Sequence, residues 1–238
     1  MRARMALVVA VGIAVSFGLV AGATAGEVEE GFTSIFNGND LTGWDGPPGL
    51  WSVKDGAIHG ETTKEKPTRG NTFCIWRGGT LKDFELRLSF RIQNHNSGVQ
   101  YRSKDLGKWR IAGYQAEVCN SRAVGFLYGE RMRGYLCRVG QKVVIERNAQ
   151  GKAVPKVVGT LPDAKQAYAK YKKQGWNTYR IIAKGTHLVH YLNGVQTVDC
   201  VDNDEKGRMM EGVLALQIHA GPPMVVEFKD IRIKHLNQ

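Results

Sequence analysis

The sequence predicts an all-β fold, a two-sheet antiparallel β-sandwich with one short inserted helix. Three observations carry this prediction. Polar and apolar side chains alternate with period two over many short runs. Turn residues separate those runs at regular intervals. The 29 glycines follow no G-X-Y period, so they punctuate short elements and do not build a collagen helix. Charged residues at 23% and hydrophobic residues at 42% exclude a wholly disordered chain.

At the N-terminus, Arg2 and Arg4 precede an uncharged run from Met5 to Val20, and Ala23-Thr24-Ala25 places small residues where a secretory leader is cut. This order predicts a signal peptide over residues 1–25, cleavage near Ala25, and export to the periplasm or beyond the cell. No stable membrane insertion is expected after cleavage, and residues 26–238 are expected to form a single domain. Losing Arg2 and Arg4 lowers the net charge from +11 to +9. The basic residues are scattered, apart from Lys170, Lys172 and Lys173, which argues for a solvated surface and against nucleic-acid binding.

The clearest strand is Asp83–Ile92, where Phe84, Leu86, Leu88, Phe90 and Ile92 share one face. Shorter runs predict strands at Gly98–Arg102, Gly113–Cys119, Lys142–Arg147, Asn177–Ala183, Leu188–Leu192, Val195–Val201, Gly212–His219 and Val225–Lys234. Lys54-Asp55-Gly56, Asn96-Ser97-Gly98 and Leu192-Asn193-Gly194 read as turns, the last closing a tight hairpin. The inserted helix is expected over Asp163–Lys173, capped by Asp163, with Ala164, Ala167, Tyr168 and Tyr171 on one side. Cys74, Cys119, Cys137 and Cys200 contain no C-x-x-C and no zinc spacing. They read as small buried residues or, in an oxidising compartment, as one or two disulfides, with Cys119–Cys137 the first pairing to test.

Three strands repeat a polar pair at i, i+2: Gln100 and Arg102, Gln115 and Glu117, Gln217 and His219. Neighbouring in one curved sheet, they would line a concave surface with Gln, Arg, Glu and His. Amides and carboxylates there bond hydroxyls in both directions, which suits a polyhydroxylated ligand such as an oligosaccharide. An ordinary solvated sheet face is the plainer reading of the same alternation. Trp109, in the polar stretch Asp105–Arg110, is the candidate platform for a sugar ring, whereas Trp51 and Trp176 open strands and are expected in the core. Gly38-Asn39-Asp40 and Asp202-Asn203-Asp204 are turn sequences whose oxygens also suit calcium. The chain has no G-x-S-x-G, H-E-x-x-H or P-loop.

A series of short motifs then resembles one family. Gly31-Phe32-Thr33-Ser34-Ile35-Phe36-Asn37-Gly38-Asn39-Asp40-Leu41-Thr42-Gly43-Trp44 opens it, followed by Trp51–Ile58, Asp83–Leu86, Asn96–Arg102, Gly113–Glu117, Trp176–Arg180, Leu192–Gly194, Leu216–His219 and Phe228–Ile233. Each is weak alone, but their order is similar to that of the 3-keto-disaccharide hydrolase domain family, formerly a domain of unknown function. The resemblance implies a concanavalin A-like (laminin-G-like) jelly roll and cleavage of glycosides whose 3-hydroxyl a partner sugar 3-oxidoreductase has oxidised. The chain departs from the family pattern at His219-Ala220-Gly221-Pro222-Pro223, which still keeps His219, and at Val118–Arg122, which lacks an Asp that some relatives carry.

A ketone at C3 acidifies C2–H, so a base, an enolate stabiliser and an acid for the leaving oxygen suffice, without the usual carboxylate pair. The resemblance therefore points to His219 or Glu117 as base or acid and to Arg102 or Arg133 as enolate stabiliser. Gln100, Gln115, Gln217, Tyr128, Glu130 and Trp109 would bind substrate. No cofactor is required by the sequence; a divalent metal on O2 and O3 is the alternative stabiliser, with no ligand set named. The competing readings are a non-catalytic carbohydrate-binding module and a structural envelope protein.

Overall fold

The computed structural model describes residues 29–121 and 123–236, so the leader read over residues 1–25 lies outside the described residues. In chain order the strands are β1 (Thr33–Ser34), β2 (Trp44–Asp45), β3 (Trp51–Lys54), β4 (Ala57–Thr62), β5 (Thr72–Trp76) and β6 (Phe84–Ile92). Next come β7 (Asn96–Asp105), β8 (Ile111–Cys119), β9 (Leu127–Glu130), β10 (Gly134–Cys137), β11 (Gln141–Arg147) and β12 (Ala153–Thr160). After the helix α1 (Ala164–Lys170) follow β13 (Asn177–Lys184), β14 (His187–Leu192), β15 (Val195–Asp202), β16 (Val213–Ile218) and β17 (Met224–His235).

They form the expected antiparallel β-sandwich jelly roll. The larger sheet runs β12-β11-β15-β14-β13-β6-β17-β4-β3, with β1 added to β17, and the smaller runs β10-β9-β8-β7-β16-β5-β2. Among the described pairs only β11 and β15 are parallel. The inward residues of β6 and β17 in the larger sheet and of β7, β8 and β16 in the smaller join one core. Phe84 meets Tyr101 edge-on across the two layers, with ring centroids 5.9 Å apart. The Asn193-Gly194 turn closes the hairpin of β14 and β15 with both residues at positive φ, 48° and 79°, as a type I′ turn needs. Ala164 and Ala167 of α1 are buried, and Tyr168 and Tyr171 pack on the core.

Several expectations need correction. Asn96-Ser97-Gly98 is not a turn but the first part of β7. Asp163 makes no side-chain cap; its Oδ1 instead accepts from the Gln166 side chain at 2.9 Å. Trp51 is buried, but Trp176 is only half-buried, with the charged groups of Arg91 and Lys229 over its ring at 4.8 and 4.5 Å. The four cysteines are free and buried, and the Cys137 thiol faces Cys200 on β15, not Cys119, which turns to Ser121. Asp202 and Asp204 engage arginines and not an open calcium loop. No described helix is long and apolar enough to cross a membrane.

Candidate active site

The antiparallel pairs β7–β8 and β7–β16 bring three of the polar strands side by side. Gln100 lies opposite Gln115 on one side and Ala215 on the other, and Glu117 lies opposite Gly98. Because facing residues share a face, Asn96, Gly98, Gln100, Gln115, Glu117 and Gln217 all point out of the sandwich from the smaller sheet. Gly98 is required there: an ideal Cβ would lie 2.4 Å from Cδ of Gln115, whose side chain crosses above it.

The amides form a directed chain. Gln100 Nε2 and Gln217 Nε2 donate to Gln115 Oε1 at 2.5 and 3.0 Å, and Gln115 Nε2 donates to Glu117 Oε2 at 2.8 Å. Asn96 Nδ2 donates to the other carboxylate oxygen, and Ser103 Oγ donates to Gln100 Oε1 at 3.1 Å. Burial pushes the Glu117 carboxyl up to about 7, against the hydrogen bonds from Gln115 and Asn96, and the charge of Glu130 adds to the rise. Two acceptors in this cluster, Asn96 Oδ1 and Gln217 Oε1, are buried without a partner. Such orphans are rare in a folded interior and mark hydrogen-bonding capacity that the described residues leave unused.

His219 follows β16 at the same end of the face. Its Nδ1 lies 2.6 Å from the Ala220 carbonyl and 3.2 Å from Nε2 of His95, which reaches that carbonyl at 3.0 Å. A carbonyl only accepts, so the proton of His219 belongs on Nδ1 and Nε2 is left free as an acceptor. Gly221 leaves room for this pair, since a Cβ there would meet His95 Nε2 at 2.5 Å.

Tyr128 lies opposite Gln115 on β9, half-buried against Tyr135 and Phe126. The Glu130 carboxylate on the same strand accepts from Asn71 Nδ2, with both oxygens at 3.3 Å. The two arginines are elsewhere. Arg102 sits in a bulge of β7 at φ 44° and turns away, donating to Asp83 Oδ1 at 2.7 Å, the Lys82 carbonyl at 2.6 Å and the Gly185 carbonyl at 2.7 Å. Arg133 binds Asp202 and Asp204, and Asp202 also accepts from the Tyr114 hydroxyl at 2.5 Å. Both guanidiniums are held by these partners, with Arg133 Nε buried and unpartnered, and neither bonds Glu117.

The expected open groove is also largely closed. Gln100 and Gln217 have no exposed surface. Trp109 packs over Phe73, Ile75, Ile111 and Ala215, and its Nε1 donates to Asp45 Oδ1 at 2.8 Å. It therefore caps this face and does not stand free as a sugar platform. Access remains at the end held by Glu117, Asn96, His95 and His219, where both histidines are partly exposed. Among the described residues no group of three His, Cys, Asp or Glu side chains is set to hold a metal ion, so no ligand set for the metal alternative emerges. Asn96, His95 and Asn71 were missed by sequence reasoning. Counting back from Gln100 in twos reaches Asn96, a signal hidden by its turn-like neighbours Ser97 and Gly98.

Comparison with known proteins places this site in context. Residues 31–234 match the profile of the 3-keto-alpha-glucoside-1,2-lyase-like domain. Among curated proteins none matches the chain significantly. Among solved structures, a proposed glycosyl hydrolase from Parabacteroides distasonis is similar at 20% identity and TM-score 0.56, covering 87% of this chain and 95% of that one. A second from the same organism is 18% identical with TM-score 0.56, covering 86% and 99%. The carbohydrate binding module CBM66 from Bacillus subtilis is 16% identical with TM-score 0.52, covering 82% and 98%. At these identities the structures share the fold.

Proposed function

The chain belongs to the 3-keto-alpha-glucoside-1,2-lyase-like domain family, and from that premise we propose that it cleaves 3-keto-glycosides or 3-keto-disaccharides by proton abstraction at C2, elimination and hydration. The observation that carries the reading is the Glu117 carboxyl, raised to about 7 and clamped by Asn96 and Gln115 beside two orphan acceptors. A carboxyl in that range stays protonated up to neutral pH and can donate to the leaving oxygen. The free Nε2 of His219 is then the base for C2–H. The enolate oxygen at C3 needs a donor, and with Arg102 and Arg133 held elsewhere the Asn96 amide, at the accessible end, is the one this face offers. Water adds to the resulting unsaturated sugar and completes net hydrolysis. The substrate would come from a sugar 3-oxidoreductase acting first, and the leader would take the protein out of the cytoplasm.

The test is NMR in D2O on an oxidised 3-keto-disaccharide and its unoxidised parent. Cleavage of the ketone alone, with deuterium at C2 and loss of turnover in Glu117→Gln and His219→Ala, is the expected result. Full activity in both variants would defeat the assignment. Binding of both sugars without turnover would leave a carbohydrate-binding module.

A further inference from the structure

The outer face of the larger sheet, on the other side of the sandwich from Glu117, carries a second set of polar groups that the cleavage reading does not use. Arg180 on β13 lies directly opposite Arg87 on β6, and Arg87 lies directly opposite Arg232 on β17. Three like charges in one cross-strand row oppose folding. Carboxylates relieve two of them. Glu85 accepts from Arg180 Nε at 2.7 Å, Arg180 Nη2 at 3.0 Å and Arg87 Nε at 2.6 Å, and Glu29 also binds Arg87. Arg232 has no carboxylate partner among the described residues. Its Nη1 donates only to the Asp230 backbone carbonyl at 3.1 Å, and its guanidinium lies 5.8 Å from the Phe32 ring centroid.

The backbone is shaped to put Arg232 in this row. Between Lys229 and Arg232 the register with β6 shifts, and the inserted Asp230 takes φ 54°, an unfavourable value for a residue with a side chain. Ser89 Oγ holds Asp230 Oδ2 at 2.9 Å. Without the bulge, Arg232 would fall out of line with Arg87. The three arginines border a groove of about 980 Å³, which also presents Ser89, Thr178, Asn37 and the ring of Tyr191, together with Glu29 and Asp230, whose carboxylates are held by Arg87 and Ser89. That size lies at the upper end of small-ligand sites, ~300–1,000 Å³.

We propose that this groove is a second, non-catalytic site for an acidic saccharide, with the Arg232 guanidinium fork taking a carboxylate or sulfate ester on a sugar ring. Hydroxyl and amide groups around it suit the remaining sugar hydroxyls. A planar fork with an unneutralised charge is the group that recognises such an oxyanion in two-point fashion. The site is independent of Glu117, so it stands or falls apart from the cleavage reading.

Calorimetric titration of the full chain with oligogalacturonate, a sulfated dextran oligosaccharide and a neutral dextran oligosaccharide tests it, in about 150 mM salt so that long-range attraction is screened. At least one acidic oligosaccharide binds, and the tighter of the two identifies carboxylate or sulfate as the recognised group. Arg232→Gln and Arg232→Lys each weaken that binding by roughly tenfold or more, the lysine because it lacks the fork. The double variant Lys172→Gln, Lys173→Gln removes more charge from residues that do not line the groove and changes affinity less than about twofold. The proposal is overturned if the neutral oligosaccharide binds as well as the acidic ones, if neither acidic one binds, or if the lysine pair matters as much as Arg232.

Discussion

Replacing Glu117 by Gln isolates the cost of keeping an ionisable group at the buried end of the amide chain. The carboxyl is raised from 4.5 to about 7, chiefly by burial. A carboxyl that binds its proton more tightly when folded stabilises the fold fully below its unfolded value, and that contribution is lost as pH rises through the folded value. At ~1.4 kcal/mol per unit, the loss is about 3 kcal/mol in all, most of it between about pH 5 and about pH 8. Gln keeps the shape and has no proton to lose. Its amide would place an NH2 where Asn96 Nδ2 donates, but Asn96 Oδ1 has no partner, so a half-turn of the Asn96 amide restores the bond without breaking another. Urea unfolding of both proteins across this pH range is therefore expected to show Glu117→Gln gaining on the wild type as pH rises, by about 2–3 kcal/mol at the alkaline end. A constant difference between the two proteins would refute the argument, because the carboxyl would then titrate alike folded and unfolded. Turnover by the wild type is expected to fall as pH rises through about 7, where the acid is lost.

Three further outcomes follow from neighbouring geometry. Arg102→Ala takes the guanidinium from Asp83, which keeps only the Gly185 N–H, and from two backbone carbonyls, so chemical denaturation should show a loss of about 3–5 kcal/mol, as for other broken buried pairs. Gly98→Ala drives a Cβ into Gln115 and takes a donor from Glu117, which should cost about 1–3 kcal/mol of stability and move the alkaline limb of the activity profile upward; an unmoved limb would deny Gln115 its part. The thiols of Cys119 and Cys74 are pushed up by burial to about 11 and about 12, so a thiol reagent at mildly alkaline pH should label them slowly in the folded protein and quickly in denaturant.

What the sequence revealed depended on whether a residue's role is local. Alternation is local, so β6, β7, β8 and β16 and the outward direction of Gln100, Gln115, Glu117 and Gln217 could be read from it. It failed where a strand does not alternate. β5 is buried on nearly its whole length, and β12 is an exposed edge strand with Pro155 within it, so neither shows the half-buried pattern. Arg102 shows the deeper difficulty. Its i, i+2 relation to Gln100 is sound, yet one bulge after Tyr101 reverses its side chain toward Asp83, just before β6 of the other sheet. Arg133 likewise finds its carboxylates about 70 positions away, on and just after β15. Arginine is legible as a donor, but which acceptors it meets is fixed by strand order and by bulges. A long guanidinium tied to carboxylates near a site is thus as well suited to holding the sheets as to chemistry. The same reasoning makes the groove on the opposite face informative: Arg232 also reaches its place through a bulge, but among the described residues no carboxylate pairs with it there.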